Sequence, residues 1–213
     1  RENADGLRGA FESDVRTKAM DADGIETRPI RQITGTAEFN EVFFDGARTD
    51  ADMVVGKPGE GWKVAMGTLA FERGALTLGQ QAAFEREFAE IVADAKRTGR
   101  WDDPALRQQL AALSVRLRIM RWNSIRSLGV GETGELVPEA MINKLFWASL
   151  HSDMGEAAMA ALGPEATLTP YGRSDNSHDG DEMEAAHRLF FFTRSDTIYG
   201  GSNEIQRNVI GER

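Results

Sequence analysis

The sequence has no cysteine among its 213 residues. Disulfides, thiolate metal sites and cysteine nucleophiles are excluded together. It is also short of positive charge: 25 Lys and Arg stand against 34 Asp and Glu, a net charge of −9. A general nucleic-acid binder needs clustered cations to meet phosphate, so that class is set aside. An acidic balance of this kind speaks to solubility and names no partner. No apolar run approaches the roughly 20 residues of a membrane-spanning helix, and the opening residues carry no signal-peptide pattern. A reducing, cytoplasmic home is the expectation. The chain opens on Arg1 rather than Met, which leads us to expect a fragment or a processed product. Histidine is scarce as well. His151, His178 and His187 show no ligand spacing with carboxylates, so no metal site is expected and each histidine is read as exposed or satisfied by its neighbours. No Walker motif occurs. Gly129, Gly131 and Gly134 have dinucleotide-loop spacing but follow a helical pattern rather than a strand, which marks an inter-helix loop.

What is present is a soluble globular composition, long enough for one domain with a piece of a second. Residues 1–24 are polar and aperiodic. In 25–57, Ile25, Thr27, Ile30 and Ile33 lie among polar neighbours, and Phe39-Asn40-Glu41-Val42-Phe43-Phe44 is rich in strand formers. Pro29, Gly35, Asp45-Gly46 and Lys57-Pro58-Gly59 read as turns between them. Residues 1–58 are therefore expected to be part of an N-terminal or middle β-domain, too small to hold a sheet core alone.

From 59 to 213 the pattern is helical. A first helix is expected from about Gly61 to Arg97, with Val64, Leu69, Leu76, Phe84, Phe88, Ile91 and Val92 at apolar positions. Gly67, Gly74 and Gly79 inside it predict a close approach of another helix or a ligand. Asp102-Asp103-Pro104 opens a second helix. Along it Leu106, Leu110, Leu113, Leu117 and Met120 recur at alternating steps of four and three, which is one helix face. A third runs from Pro138 to about Leu162, with Ile142, Leu145, Leu150 and Met154 as apolar positions and Gly163-Pro164 as its stop. Residues 164–180 read as a loop; the acidic stretch from Ser174 to Asp181 lacks calcium-loop spacing. Asp181 with Glu184 has the spacing of a capping box for a fourth helix through Phe192, in which Leu189 to Phe192 are a buried face. A last helix starts near Asn203, capped by Ser202 or by an Asn203–Gln206 box. The fold class is mainly α: an up-down helical bundle preceded by a remnant of a β-domain.

Three blocks resemble the acyl-CoA dehydrogenase family in order and spacing, over roughly residues 25–213. The first is Arg28-Pro29-Ile30-Arg31-Gln32, then Glu38 to Phe44, Val55-Gly56 and Gly61-Trp62. It is similar to the end of the family's middle β-domain and the entry to its C-terminal helical domain. The second is Leu69-Ala70-Phe71-Glu72-Arg73-Gly74-Ala75, and the third is Ile198-Tyr199-Gly200-Gly201-Ser202-Asn203-Glu204-Ile205-Gln206-Arg207.

The resemblance implies an FAD enzyme that oxidises an acyl-CoA thioester to its 2,3-enoyl form. A carboxylate takes the α-proton while the β-hydrogen leaves as hydride to the flavin. The family's commonest position for that base directly follows the Tyr of the third block. Here it is Gly200, which has no side chain. A minority branch carries the glutamate on the first long helix, directly before an Arg, and keeps the Tyr-adjacent position small. Glu72 before Arg73, with Gly200, matches that branch at both ends. A Glu-Arg dipeptide on a helix is ordinarily solvated surface. The low-charge stretch from Val64 to Leu78 and the vacated position favour Glu72 as the base. By family position, Ser202, Glu204, Gly201 and Gly163 are the cofactor-binding residues, and Arg73, Tyr199 and Gly200 face the substrate.

The sequence departs from the family in two places. The Arg-x-x-Phe-Gly motif expected after the first helix is replaced by Ala95-Lys96-Arg97-Thr98-Gly99-Arg100-Trp101. Of a glycine-rich stretch expected after the third helix, only Gly163 is present. The implied partners are an acyl-CoA substrate, an electron-transfer flavoprotein or similar acceptor, and further subunits in a homo- or hetero-tetramer. A non-catalytic or partner-completed subunit of a hetero-oligomer, and an acyl-CoA oxidase, are the alternatives.

Overall fold

The computed structural model describes residues 23–37, 39–48, 55–65, 67, 77–128, 138–168 and 183–212. The chain forms two compact units, Arg1–Gly61 and Trp62–Arg213.

In the first unit, β1 (Ile25–Ile30) and β2 (Phe39–Phe44) pair antiparallel, Ile25 opposite Phe44 and Ile30 opposite Phe39. Gly24 closes the open end of this hairpin. Its φ is +83°, and a Cβ there would lie 2.5 Å from the Asp45 carbonyl oxygen, so only glycine fits. Pro29, expected at a turn, is instead paired within β1 opposite Asn40. A two-stranded ladder leaves an outer edge on each strand, where a residue without an N–H costs no bond. Ile30, Phe39, Val42, Phe43 and Phe44 are all exposed. The Arg28 guanidinium lies 4.6 Å above the Phe43 ring and pairs with Glu26. A hairpin with so little burial has no core to hold it.

The described residues of the second unit include α1 (Thr77–Arg97), α2 (Pro104–Leu128), α3 (Pro138–Leu162), α4 (Ala185–Asp196) and α5 (Asn203–Gly211). The leucine face of α2 is realised: Leu106, Leu110, Leu113, Leu117 and Met120 are buried against Phe84 and Ile91 of α1 and Leu150 and Met154 of α3 in one core. Each such side chain contributes about 1.5–3 kcal/mol on burial. α3 is the central helix and packs against all four others. Its apolar residues therefore surround its axis instead of forming one stripe, with Ala148, Leu150, Met154, Ala157, Ala158 and Ala161 all sealed from solvent. Ile142, near its start, is exposed.

The helix ends follow local chemistry. Asp103 accepts the Ala105 N–H at 2.9 Å and so caps α2, with Pro104 in the first turn. Gly99 is left-handed and reverses the chain after α1. That α1–α2 corner also caps α3: Thr98 Oγ1 donates to the Ala161 carbonyl at 2.6 Å and Arg100 Nε to that of Ala160 at 3.3 Å.

Three expectations change. Among the described residues, a Cβ on Gly67 or Gly79 would meet nothing within 4 Å, so neither marks a helix-helix approach there. The close approach is at Gly155, where a Cβ would lie 2.6 Å from Thr193 Oγ1 and 3.1 Å from Phe190 Cα, so that α3 and α4 touch nearly backbone to backbone. α4 starts at Ala185, with Glu184 at its N-cap and no capping side-chain bond, and it runs on to Asp196. It outlasts Phe192 because Thr193 and Asp196 are both buried. Leu189 to Phe192 are half-buried. Asp181, the rest of the acidic stretch from Ser174, Gly74 and the glycines at 129, 131 and 134 lie outside the described residues. None of the described helices is long and apolar enough to cross a membrane, and the described residues contain no cluster able to hold a metal ion.

Candidate functional site

The third sequence block forms the turn that joins α4 to α5. Its backbone is fixed from both sides. The Ile198 and Tyr199 N–H groups donate to the Ser195 carbonyl, and the Asn203 N–H donates to that of Thr197 at 3.0 Å. Gly200 and Gly201 have φ of +65° and +87°, a left-handed pair that disfavours any side chain. Gln206, buried on α5, sends its Nε2 back to the Gly200 carbonyl at 3.0 Å. It also fills the space a Cβ on Gly201 would need, at 2.7 Å. Ser202 caps α5 by accepting the Ile205 N–H. The expected Asn203–Gln206 box is absent because Gln206 is spent on the turn. Asn203 Oδ1 is buried with no hydrogen-bond partner. Glu204 is exposed at the start of α5. Its own backbone N–H, the Ser202 hydroxyl and Arg207 hold its carboxyl below the usual carboxylate range.

Under this turn lies a buried charged network. Asp196, the last residue of α4, has no exposed surface. Its carboxylate accepts the Tyr199 hydroxyl at 2.7 Å and contacts His151 Nδ1 at 2.6 Å. The other ring nitrogen, His151 Nε2, lies 2.9 Å from Glu87 on α1. Phe84 stacks on the imidazole with centroids 3.8 Å apart. Lys144 donates to the Asp196 backbone carbonyl and lies over the rings of Trp147 and Tyr199. Lys144, Trp147 and His151 reach one corner because they recur at steps of three and four on α3.

Two carboxylates, an ammonium and an imidazole leave the corner nearly balanced if the imidazole is charged. The geometry asks for that form, since a ring with a carboxylate on each nitrogen donates from both only as imidazolium. Burial pulls the His151 pKa down, but its bonds to Asp196 and Glu87 and their negative charge together raise it above the ordinary value. Burial, then the Asp196 carboxylate, push the Tyr199 phenol well above its usual range, so it stays a donor. Burial lowers the Lys144 pKa against the pull of Asp196.

Of the residues singled out from sequence, Tyr199, Gly200, Gly201, Ser202 and Glu204 come together here. Glu72 and Arg73 lie outside the described residues. Gly163 is elsewhere: it ends α3 with φ +60°, against the Arg100 side chain. Lys144, which contacts the turn, lies roughly 28 Å from Gly163 along the axis of α3 at 1.5 Å per residue. His151 is satisfied by its neighbours, as expected, but Asp196, Glu87 and Lys144 were missed. Their only signal was the i, i+3, i+7 recurrence of Lys144, Trp147 and His151, which also describes a plain helix face.

Residues 59–213 match the model of the acyl-CoA dehydrogenase C-terminal domain. Acyl-CoA dehydrogenase IpdE1 of Mycobacterium tuberculosis is 50% identical over 194 residues, covering 91% of this chain and 48% of that protein. The chain thus spans about half the length of the curated relatives it matches. The solved Tcur3481-Tcur3483 steroid ACAD superposes at a TM-score of 0.74 with 25% identity, covering 90% of this chain and 48% of that one. The ChsE4-ChsE5 complex from Mycobacterium tuberculosis superposes at 0.64 with 21% identity, over 90% of this chain and 50% of that one.

Proposed function

Because the chain belongs to the acyl-CoA dehydrogenase family, we propose that it takes part in the FAD-dependent α,β-dehydrogenation of an acyl-CoA thioester to the 2,3-enoyl-CoA, with Glu72 as the base. The observation that carries this reading is the turn at Gly200. The position beside Tyr199 has no side chain and a left-handed backbone. That leaves room for a carboxylate from another part of the chain, and Glu72 stands before Arg73 in the sequence as the family's minority branch requires.

Two observations at the turn support a flavin there. Gly200 and Gly201 keep side chains out of its path, and Asn203 Oδ1 is a buried acceptor awaiting a donor. Ser202 and Glu204, at its edge, would hold the cofactor, with Gly201 offering backbone. FAD, when bound, supplies the acceptor for the β-hydrogen. The chain's own part is to place Glu72 against the α-carbon, with Arg73, Tyr199 and Gly200 lining the thioester, and to keep that carboxylate in an apolar setting where its pKa suits proton removal. Gly163 enters by family position alone. Its distance from the turn supports a contact with the cofactor of a neighbouring subunit in a tetramer.

The division into 1–58 and 59–213 belongs to the same proposal, with the hairpin as part of a middle β-domain. The small residue beside Tyr199 favours a branched or bulky acyl group, in keeping with the likeness to a steroid ACAD. An electron-transfer flavoprotein or similar acceptor would reoxidise the flavin.

A second reading has its own support. The Arg-x-x-Phe-Gly motif is absent, and the ChsE4-ChsE5 neighbour is a complex of two chains. A hetero-oligomer in which a partner completes the site fits both facts. The test is Glu72→Gln in the full-length protein, alone and with its partner. Turnover of acyl-CoA is lost while flavin is retained if Glu72 is the base; near-normal turnover removes it from that role. Peroxide formation in air would instead identify an oxidase.

A further inference from the structure

Sequence position gives His151 no role, and the reaction as proposed does not use it. Yet His151 is buried between two carboxylates, Asp196 and Glu87. It is 5% exposed, and Asp196 beside it is fully sealed. Such burial of charge is unfavourable unless each ion is paired and hydrogen-bonded. A bundle that wanted only stability would fill this corner with apolar side chains, as α3 does two turns further on at Ala157, Ala158 and Ala161. The placement of the charges says what they hold. Asp196 ends α4 and is the residue from which the turn departs. One of its carboxylate oxygens takes His151 and the other takes the hydroxyl of Tyr199. Its backbone carbonyl takes Lys144, whose Cε lies 3.7 Å from where a Cβ on Gly200 would be. Every charged group in the corner thus bears on the segment from Asp196 to Gly200.

We propose that His151 is a positioning residue: as an imidazolium clamped between Glu87 and Asp196, it orients the Asp196 carboxylate and through it fixes Tyr199 and the Gly200–Gly201 backbone. The chain of contacts is Glu87 on α1, His151 on α3, Asp196 at the end of α4, then Tyr199. When the imidazolium loses its proton, one of its two carboxylate bonds is lost. Asp196 and Glu87 then confront each other with Lys144 as the remaining cation. The turn loosens with that step. The functional consequence rests on the reading of this turn as the flavin- and substrate-facing element.

The experiment follows the full-length protein by NMR, with labelled histidine and glycine, as pH is raised. His151 is expected to carry protons on both nitrogens at neutral pH, and the Gly200 and Gly201 amides are expected to shift with the same midpoint as its ring. Gly155 and Gly163, which lie outside the network, should not follow that midpoint. His151→Gln, which keeps an amide donor but no charge, should abolish the Gly200 and Gly201 response. A His151 ring with a single proton at neutral pH overturns the proposal. So do Gly200 and Gly201 amides that ignore its titration, or that keep it in His151→Gln. The wild-type titration decides the matter even where that variant does not fold. None of these signals needs flavin or acyl-CoA. In the assembled enzyme, His151→Gln should lower kcat/KM by about tenfold to a hundredfold, with the loss greatest where the wild-type ring is charged and shrinking as pH rises and that ring gives up its proton. An assembly with no acyl-CoA activity at all would sink the proposed reaction and leave the positioning of the turn to the NMR result.

Discussion

The two ends of α3 solve the same packing problem in opposite ways. Toward its C-terminus, Met154, Ala157, Ala158 and Ala161 are buried among apolar side chains, and the last carbonyls are capped by Thr98 and Arg100. Toward its N-terminus, Lys144 and His151 meet Asp196 and Glu87 in a buried charged corner. An apolar end stabilises by area and tolerates rearrangement. A charged end gains little net stability but admits few geometries, because each ion tolerates only a paired position. The difference teaches where the molecule needs accuracy: at the turn from Asp196 to Ser202, which carries most of the described candidate site.

The sharpest way to break the comparison is Asp196→Ala. It leaves the His151 cation buried beside one carboxylate instead of two and should cost about 3–5 kcal/mol, measured by urea unfolding. A loss below about 1 kcal/mol would mean the corner is open to water. At the apolar end, Met154→Ala should cost about 2–5 kcal/mol through the cavity it leaves, with no dependence on pH. Gly155→Ala should cost about 1–3 kcal/mol, because the new methyl meets Thr193 and the α4 backbone.

The ends also differ in how far they could be read in advance. The leucine face of α2 follows from period alone, because burial by neighbours along one helix is written in adjacent turns, whereas on α3, buried all round, Leu150 and Met154 are core but Ile142 is exposed. Asp103-Pro104 and Gly163-Pro164 likewise announce their helix ends. The charged corner was not legible, since Asp196 lies 45 positions from His151 and Glu87 lies 64 from it. No local pattern encodes such pairs. α4 was misplaced for a similar reason. The residues that lengthen it, Thr193 and Asp196, look like surface in sequence and are buried only by contact with α3. The turn at Gly200 and Gly201 was legible through its resemblance to a family, and its left-handed backbone follows from the residue type.

Two smaller effects sharpen the contrast. The folded-state pKa of His151 is raised above its ordinary 6.5. Its protonation therefore stabilises the fold fully below about that pH, and the contribution is lost as pH rises through the folded value. The melting temperature should fall over that alkaline approach, and His151→Gln should flatten the fall. The smallest effect is expected of Arg97→Ala. Its exposed pairs with Asp94 and Glu165 are screened by solvent and contribute little, read as a small shift in the same melting curve that vanishes at high salt.

The claim that the turn at Gly200 works with the carboxylate of Glu72 is tested most directly by one half-reaction. The full-length protein, assembled with its partner where one is needed, is mixed without oxygen with a bulky acyl-CoA, and the visible absorption of its flavin is followed. The account predicts rapid bleaching in the wild type and none in Glu72→Gln, with equal flavin content in both. Equal bleaching in the two proteins would contradict it.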